Sequence, residues 1–187
     1  PETVESVLEQ SFVDYELLVS DDASTDNSAA VLEQYAGRDP RLRLHRHRQN
    51  LGMVSHWNWC LRQARGPYVK FLFGDDQLNG PGALAALVAL LEAHPSAVMA
   101  VSARTIIDEH SRPIDRWDHL GSPGPRRGSE VIAECLQTER NLIGEPSAVL
   151  FRKAAAARGF DVDFRQLVDL EMWFHLLQAG DLVYTRQ

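Results

Sequence analysis

Strand-like and helix-like segments alternate along the first hundred residues, and this alternation restricts the fold more than any other feature of the sequence. Apolar runs rich in strand formers occur at 15–20, 68–73 and 97–103. Helical spacing of apolar residues lies between these runs, most clearly at 83–93. Such alternation is typical of an α/β domain, in which a mostly parallel sheet is flanked by helices. The sequence therefore predicts an α/β fold.

Length and charge narrow the classes of function. The 187 residues suit a single domain over residues 1–187, and the formal net charge is −7. An acidic chain is a poor binder of nucleic acid or of an anionic membrane, because both attract excess positive charge. The longest apolar run, Ala83 to Leu91, is about half as long as a bilayer span requires. We expect a small-molecule or protein partner, no nucleic acid and no transmembrane segment in this chain.

The alternation of strand-like and helix-like segments stops after about residue 103. Residues 104–130 are rich in Pro, Gly and charge, which predicts a long loop or lid. We therefore divide the domain into a ligand-binding half over 1–103 and a half over 104–187 that contains the loop. Helix-like spacing already begins at Pro1 and a strand-like run ends just before Gln187, a pattern typical of a domain truncated at both termini.

Paired carboxylates follow two of the strand-like runs, Asp21-Asp22 after the first and Asp75-Asp76 after the apolar run FLFG. In an open α/β sheet ligands bind beyond the carboxyl ends of the strands, and a parallel sheet brings both pairs to the same edge. Each pair alone is also compatible with a simple polar turn. Adjacent carboxylates suit a hard divalent cation held together with substrate phosphates. They can also accept hydrogen bonds from a ribose hydroxyl or a uracil N–H.

Two longer stretches, Ser6 to Ser28 and Arg41 to Asp76, carry a specific order of motifs: a DDxSTD turn, an NxG turn, an AxGxY strand start and a terminal DD. This order resembles the first half of a family 2 glycosyltransferase of GT-A fold, closely over about residues 4–90 and more loosely over 144–180. The resemblance implies a Rossmann-like, mostly parallel sheet flanked by helices that lacks its first strand. It also implies a nucleotide-diphosphate sugar as donor, with a UDP-sugar as the first choice.

The resemblance assigns roles to the acidic pairs. Asp22, together with Asp21, would face the nucleotide base. The GDD run falls where the family has its DxD-type motif, so Asp75 would meet the ribose or the metal. Asp76 would ligate the cation, Mg²⁺ or Mn²⁺.

A third acidic position is implied by the segment VDLEMWFHLL, which is similar to the acceptor side of the family. Asp169 matches the catalytic acidic residue, and Glu171 is the alternative. The chemistry independently requires such a base, because an acceptor hydroxyl must lose its proton as it attacks the anomeric carbon. The implied reaction is an inverting transfer to a glycan or lipid-linked acceptor in polysaccharide, cell-wall or surface-glycan synthesis. It would take place in the cytoplasm or at the inner face of the membrane.

Two departures from the family pattern keep a second hypothesis open. No opening strand precedes the helix-like start at Pro1, and Val168 stands where many members carry Glu before the catalytic Asp. A catalytically impaired nucleotide-sugar-binding module is therefore the alternative to an active transferase. The donor sugar, the acceptor, the linkage and the oligomeric state are not specified by the sequence.

Overall fold

The structure, a computed structural model, describes residues 1–187 and confirms the α/β class. Its α-helices are α1 (Glu2–Leu8), α2 (Ser28–Glu33), α3 (Met53–Gln63), α4 (Ala83–Ala93), α5 (Gly128–Thr138) and α6 (Val168–Leu177). Its strands are β1 (Leu17–Asp21), β2 (Leu42–Arg46), β3 (Tyr68–Lys70), β4 (Ala97–Ser102), β5 (Arg104–Ile107), β6 (Pro113–Trp117), β7 (Gly124–Arg126), β8 (Val149–Arg152) and β9 (Asp181–Thr185).

The main sheet is mixed and has five strands in the order β3-β8-β4-β9-β7. β4 and β9 run parallel, whereas β8 lies antiparallel between β3 and β4, and β7 is antiparallel to β9. β1 and β2 form a separate parallel pair. Parallel pairing, as expected, is present in β1–β2 and β4–β9, but the main sheet is mixed rather than mostly parallel, because β8 and β7 both run antiparallel to their neighbours.

Helices cover both faces of the main sheet. Along β4, Met99 and Val101 belong to the cluster that contains α6, whereas Ala100 belongs to the cluster that contains α4. Because both faces are covered, β4 is a continuous apolar run rather than an alternating one. α4 presents apolar residues at helical spacing to its face of the sheet: Leu84, Leu87, Val88 and Leu91.

The strands of the first hundred residues do not form one continuous sheet. β1 pairs only with β2 and β3 only with β8, so each has one edge without a strand partner. A mostly apolar cavity of about 570 Å³ lies between these edges, bordered by side chains such as Leu18, Tyr68 and Leu72. The cavity therefore lies at this interruption of the sheet.

The prediction of a long loop over 104–130 is wrong for much of that segment. β5 and β6 form an antiparallel hairpin, and β7 adds an edge strand to the main sheet. β6 is exposed at every residue, so it carries no alternation of apolar and polar side chains that would have marked it as a strand. The longest helices have 11 residues, and no helix has the length and apolarity needed to cross a membrane.

Candidate active site

The first acidic pair, at the end of β1, consists of one buried and one accessible carboxylate. Asp21 is 4% exposed, accepts the Ser24 N–H at 3.3 Å and lies 3.5 Å from the Arg46 guanidinium. Asp22 is half-buried and accepts the N–H groups of Leu51 and Gly52 at 2.9 and 3.2 Å.

These bonds give the two aspartates different capacities for a ligand. Asp22 joins the DDxSTD turn to the NxG turn at the start of α3, and each of its oxygens retains a second lone pair. Asp21 is closed off from solvent. Of the two predicted base-binding residues, Asp22 is the one a ligand can reach.

The second acidic pair, after β3, has unengaged carboxylates. Asp75 is exposed and Asp76 is half-buried, and neither side chain takes part in a hydrogen bond or an ion pair. A turn closed by the Asp76 N–H and the Phe73 carbonyl, 3.1 Å apart, projects both residues from the strand. Asp76 borders a cavity of about 640 Å³ that also reaches Arg104 and Glu145. Both carboxylates are therefore free to meet a ligand.

A lysine inside the apolar run YVKFLF lies at the same cavity. Lys70 donates a hydrogen bond to the Ser147 carbonyl, which ties β3 to the turn before β8. Burial lowers the pKa of Lys70 to about 8, although the negative charge of Asp76 acts in the opposite direction. This half-buried amine is a site feature that the sequence analysis missed, and its signal was a charged residue in the middle of an apolar strand.

Asp75 and Asp76 suit a divalent cation whose coordination shell is completed by the phosphates of a bound substrate. No group of three or more His, Cys, Asp or Glu side chains is arranged to hold a metal ion. Mg²⁺ is usually held by one or two carboxylates together with substrate phosphates and water, so a complete protein cage is not required. Asp75 and Asp76 could supply such a partial ligand set, because their oxygens have no other partner.

Asp169 lies in the first turn of α6 in a partly desolvated setting. Burial raises the pKa of its carboxyl group, and the negative charge of Glu145 acts in the same direction. The N–H groups of Leu170 and of Asp169 itself, and the Asn141 amide at 3.0 Å from Oδ2, oppose this rise. A raised pKa makes a carboxylate a better proton acceptor, which suits a general base.

Glu171, the alternative base, has a different environment. Both of its oxygens accept hydrogen bonds from the Arg158 guanidinium, at 2.8 and 2.6 Å. Such a bidentate pair ties both oxygens of the carboxylate to a charged, planar partner and fixes their direction, whereas Asp169 accepts only one side-chain hydrogen bond. The geometry therefore favours Asp169 over Glu171 as proton acceptor.

The structure brings the predicted residues together only in part. The cavity of about 640 Å³ contains Asp76 and Glu145, and the charge of Glu145 acts on Asp169. Asp22 and Asp169 do not border this cavity. The sequence analysis missed Asn141, because the spacing Asn141 to Gly144 indicates only a turn and nothing in it points to Asp169.

The α/β fold and its accessible carboxylates at strand ends are typical of a ligand-binding enzyme domain, and comparison with known proteins gives the family. Residues 1–160 match the family described as glycosyl transferase family 2, to which the chain therefore belongs. The putative glycosyltransferase EpsE of Bacillus subtilis is 36% identical over 194 residues, covering all of this chain and 64% of EpsE. TuaG of the same species, a putative teichuronic acid biosynthesis glycosyltransferase, is 26% identical and covers 98% of the chain and 68% of TuaG.

Solved structures agree in fold. The S. aureus TarS fragment 1–349 in complex with UDP superimposes with a TM-score of 0.76 at 19% identity, covering the whole chain and 53% of TarS 1–349. The mannosyltransferase PcManGT of Pyrobaculum calidifontis, in complex with GDP-Man and Mn²⁺, gives a TM-score of 0.67 at 17% identity, covering the whole chain and 50% of PcManGT. The chain thus spans less than two thirds of EpsE and about half of each solved chain.

Proposed function

We propose that this chain forms the donor site and the base of an inverting glycosyltransferase. The donor is a nucleotide-diphosphate sugar, with UDP as the preferred nucleotide, and the acceptor is a hydroxyl group of a growing polysaccharide or other surface glycan. The observation that carries the proposal is the unengaged carboxylate of Asp76, which borders a cavity of about 640 Å³ and follows directly on the exposed, equally unengaged Asp75. The UDP complex of TarS and the similarity to TuaG, a putative teichuronic acid biosynthesis glycosyltransferase, support the choice of donor and product class.

In the proposed donor site, Asp22 accepts hydrogen bonds from the base and Asp75 from the ribose. Asp76, together with the neighbouring Asp75, would hold Mg²⁺ or Mn²⁺ through carboxylate oxygens. When bound, the cation supplies Lewis-acid stabilisation of the charge that develops on the leaving diphosphate. The Mn²⁺ in the PcManGT complex supports this choice of metal.

In the proposed transfer step, Asp169 takes the proton of the acceptor hydroxyl as its oxygen attacks the anomeric carbon. The bond from that carbon to the diphosphate oxygen breaks on the opposite face, so the configuration inverts. The nucleoside diphosphate leaves with the bonding electron pair, and Asp169 ends the step protonated. The raised pKa of Asp169 supports its role as base.

The donor site is tested by calorimetric titration of UDP in the presence and absence of Mn²⁺. We expect binding that depends on the metal and that Asp76→Asn abolishes. Asp163→Asn is the matched control, because Asp163 is exposed and the same charge is removed away from the cavity. Folded protein that binds neither UDP nor GDP nor dTDP would refute the proposed donor site.

The base is tested by transfer kinetics of the complete protein. Asp169→Asn should lower kcat by about 10²- to 10⁴-fold, the usual contribution of a general base. Glu171→Gln should lower it far less, because the Glu171 carboxylate is paired with Arg158. Metal-dependent UDP binding without any transfer in the wild type would favour the alternative function, a nucleotide-sugar-binding module without activity.

A further inference from the structure

The turn from Asn141 to Gly144 lies directly against the Asp169 carboxylate. Asn141 Nδ2 is 3.0 Å from Asp169 Oδ2, and the two residues are 28 positions apart in the chain. This is the only side-chain hydrogen bond that the Asp169 carboxylate accepts. The orientation of the carboxylate therefore depends on where the turn places the Asn141 amide.

The amide of Asn141 can take only one orientation. Its Oδ1 accepts the Gly144 N–H at 2.9 Å, so the oxygen must face the turn and the NH₂ group must face Asp169. Nδ2 also lies 3.4 Å from the Gly144 carbonyl. One side chain thus closes its own turn with its acceptor and presents a donor to the carboxylate.

A side chain of the hydrophobic core anchors the Asn141–Gly144 turn by a hydrogen bond. The fully buried Trp173 donates its indole N–H to the Gly144 carbonyl at 2.8 Å. Trp173 lies four residues after Asp169 on α6, so the same helix face carries the carboxylate and the anchor of its partner. Gly144 has φ +108°, and a Cβ there would meet the Arg104 guanidinium at 2.5 Å.

We propose that Asn141 is a positioning residue for the transfer reaction, which holds the Asp169 carboxylate in the orientation that receives the acceptor proton. The inference rests on the proposed function of Asp169 and adds to it a residue that touches no substrate. The competing explanation is that Asn141 serves only to close its turn. The two explanations differ in whether the donor Nδ2 or the acceptor Oδ1 matters.

The groups around Asp169 determine how its pKa changes when the Asn141 amide is removed. Glu145, which is paired with Arg104, contributes negative charge, and the N–H groups of Leu170 and Asp169 stabilise the carboxylate. The Asn141 amide also stabilises the charged form, against the larger effect of burial. Loss of this donor therefore raises the pKa of Asp169 further.

Two substitutions separate the explanations. Asn141→Asp retains an oxygen that can accept the Gly144 N–H but replaces the donor by a like charge. Asn141→Ala removes both functions. Asn27→Asp is the matched control, since Asn27 is exposed and its side chain makes no hydrogen bond. Each variant of the complete protein is measured by transfer kinetics, by thermal unfolding and by carbon-13 NMR titration of the Asp169 carboxyl group, assigned with Asp169→Asn.

If Asn141 positions Asp169, both variants lose about 10- to 100-fold in kcat, the range expected for a misplaced reacting group, with little change in the donor KM. The NMR titration of Asp169 moves to higher pH in both, and the acid limb of the rate profile moves with it. Asn141→Asp should unfold close to the wild-type temperature.

Wild-type kcat in Asn141→Asp, or an unmoved Asp169 titration, would overturn the assignment and leave Asn141 a residue of the turn alone. A wild type that transfers no sugar refutes the proposed function instead. In that case a titration of the Asp169 carboxyl group at higher pH in the Asn141 variants still supports the contact between Asn141 and Asp169. An Asp169 titration that does not move overturns that contact. The control Asn27→Asp should change neither kcat nor the titration.

Discussion

Replacing Trp173 by Phe tests how strongly the core below the site holds the turn beside Asp169. Trp173 is 0% exposed, and its Nε1 donates to the Gly144 carbonyl at 2.8 Å. Phe occupies most of the same space but has no N–H, so the carbonyl loses its shorter hydrogen bond. The 3.4 Å contact from Asn141 Nδ2 remains and partly satisfies that oxygen.

The expected cost has two parts. A buried carbonyl that loses its donor costs about 1–3 kcal/mol. The smaller ring leaves roughly 40 Å³ of unfilled space, which at about 24 cal/mol per Å³ adds about 1 kcal/mol. We therefore expect Trp173→Phe to lower the free energy of unfolding by about 2–4 kcal/mol, with the remaining contact to Asn141 favouring the lower part of that range.

The assay is urea unfolding followed by circular dichroism, because the substitution alters the fluorescence of the protein itself. Trp57→Phe is the matched control: Trp57 is half-buried and stacks on Phe73 with ring centroids 5.1 Å apart, but its indole N–H has no hydrogen-bond partner. We expect the control to cost about 1 kcal/mol or less. Equal costs for the two variants at the same m-value would refute the contribution of the Trp173 hydrogen bond.

Two further variants probe a strained turn and a charged pair. Gly144→Ala should destabilise the protein by about 1–3 kcal/mol in thermal or urea unfolding, because φ is +108° and the new Cβ would collide with the Arg104 guanidinium. Glu16→Gln should lower the free energy of unfolding at pH 7 by about 0.5–1 kcal/mol. Burial would raise the pKa of Glu16, but the Arg65 N–H and the Arg43 guanidinium outweigh it and lower the pKa below the ordinary 4.5. This stabilisation is present above pH 4.5 and disappears as the pH falls through the folded value, so the wild type and Glu16→Gln converge in acid.

Each of these variants has a control in the chain. Gly37→Ala also requires a positive φ, +77°, but its Cβ would meet nothing within 4 Å, so it should cost less than Gly144→Ala. Glu33 is exposed and its side chain has no partner, so Glu33→Gln should change stability little at any pH. A gap between wild type and Glu16→Gln that persists in acid would contradict the charge argument.

The local pattern of apolar and polar residues was sufficient to predict a helix or strand where that element is buried on one or both faces. The predicted helix at 83–93 is α4 over the same residues, and the apolar run predicted at 97–103 is β4 at Ala97–Ser102. The positions of the two acidic pairs, one at the end of β1 and one after β3, were also predictable, because polar turn residues end both apolar runs. In each case the information lies within about ten neighbouring residues, which is the range over which periodicity can be read.

The segment at 104–130 shows where local pattern fails. β5, β6 and β7 lie at the surface or at the edge of the sheet, with few buried side chains. β5 and β6 pair with each other in a hairpin, whereas β7 pairs with β9, about 55 residues further along the chain, so only folding reveals its partner. Pro, Gly and charge in such strands are indistinguishable from those of a loop, because edge strands carry no apolar alternation.

The amino-acid sequence by itself determined the α/β class, the family resemblance and the candidate acids, because composition, periodicity and motif order are local properties. Only the tertiary structure decided which of those acids are available. It buries Asp21 beside Arg46, leaves the carboxylate of Asp76 unengaged, binds Glu171 to Arg158 and sets Asn141 against Asp169. The physical reason is that the function of a carboxylate depends on its desolvation and on its hydrogen-bond donors. Those donors come from residues far away in the chain, which only folding brings together.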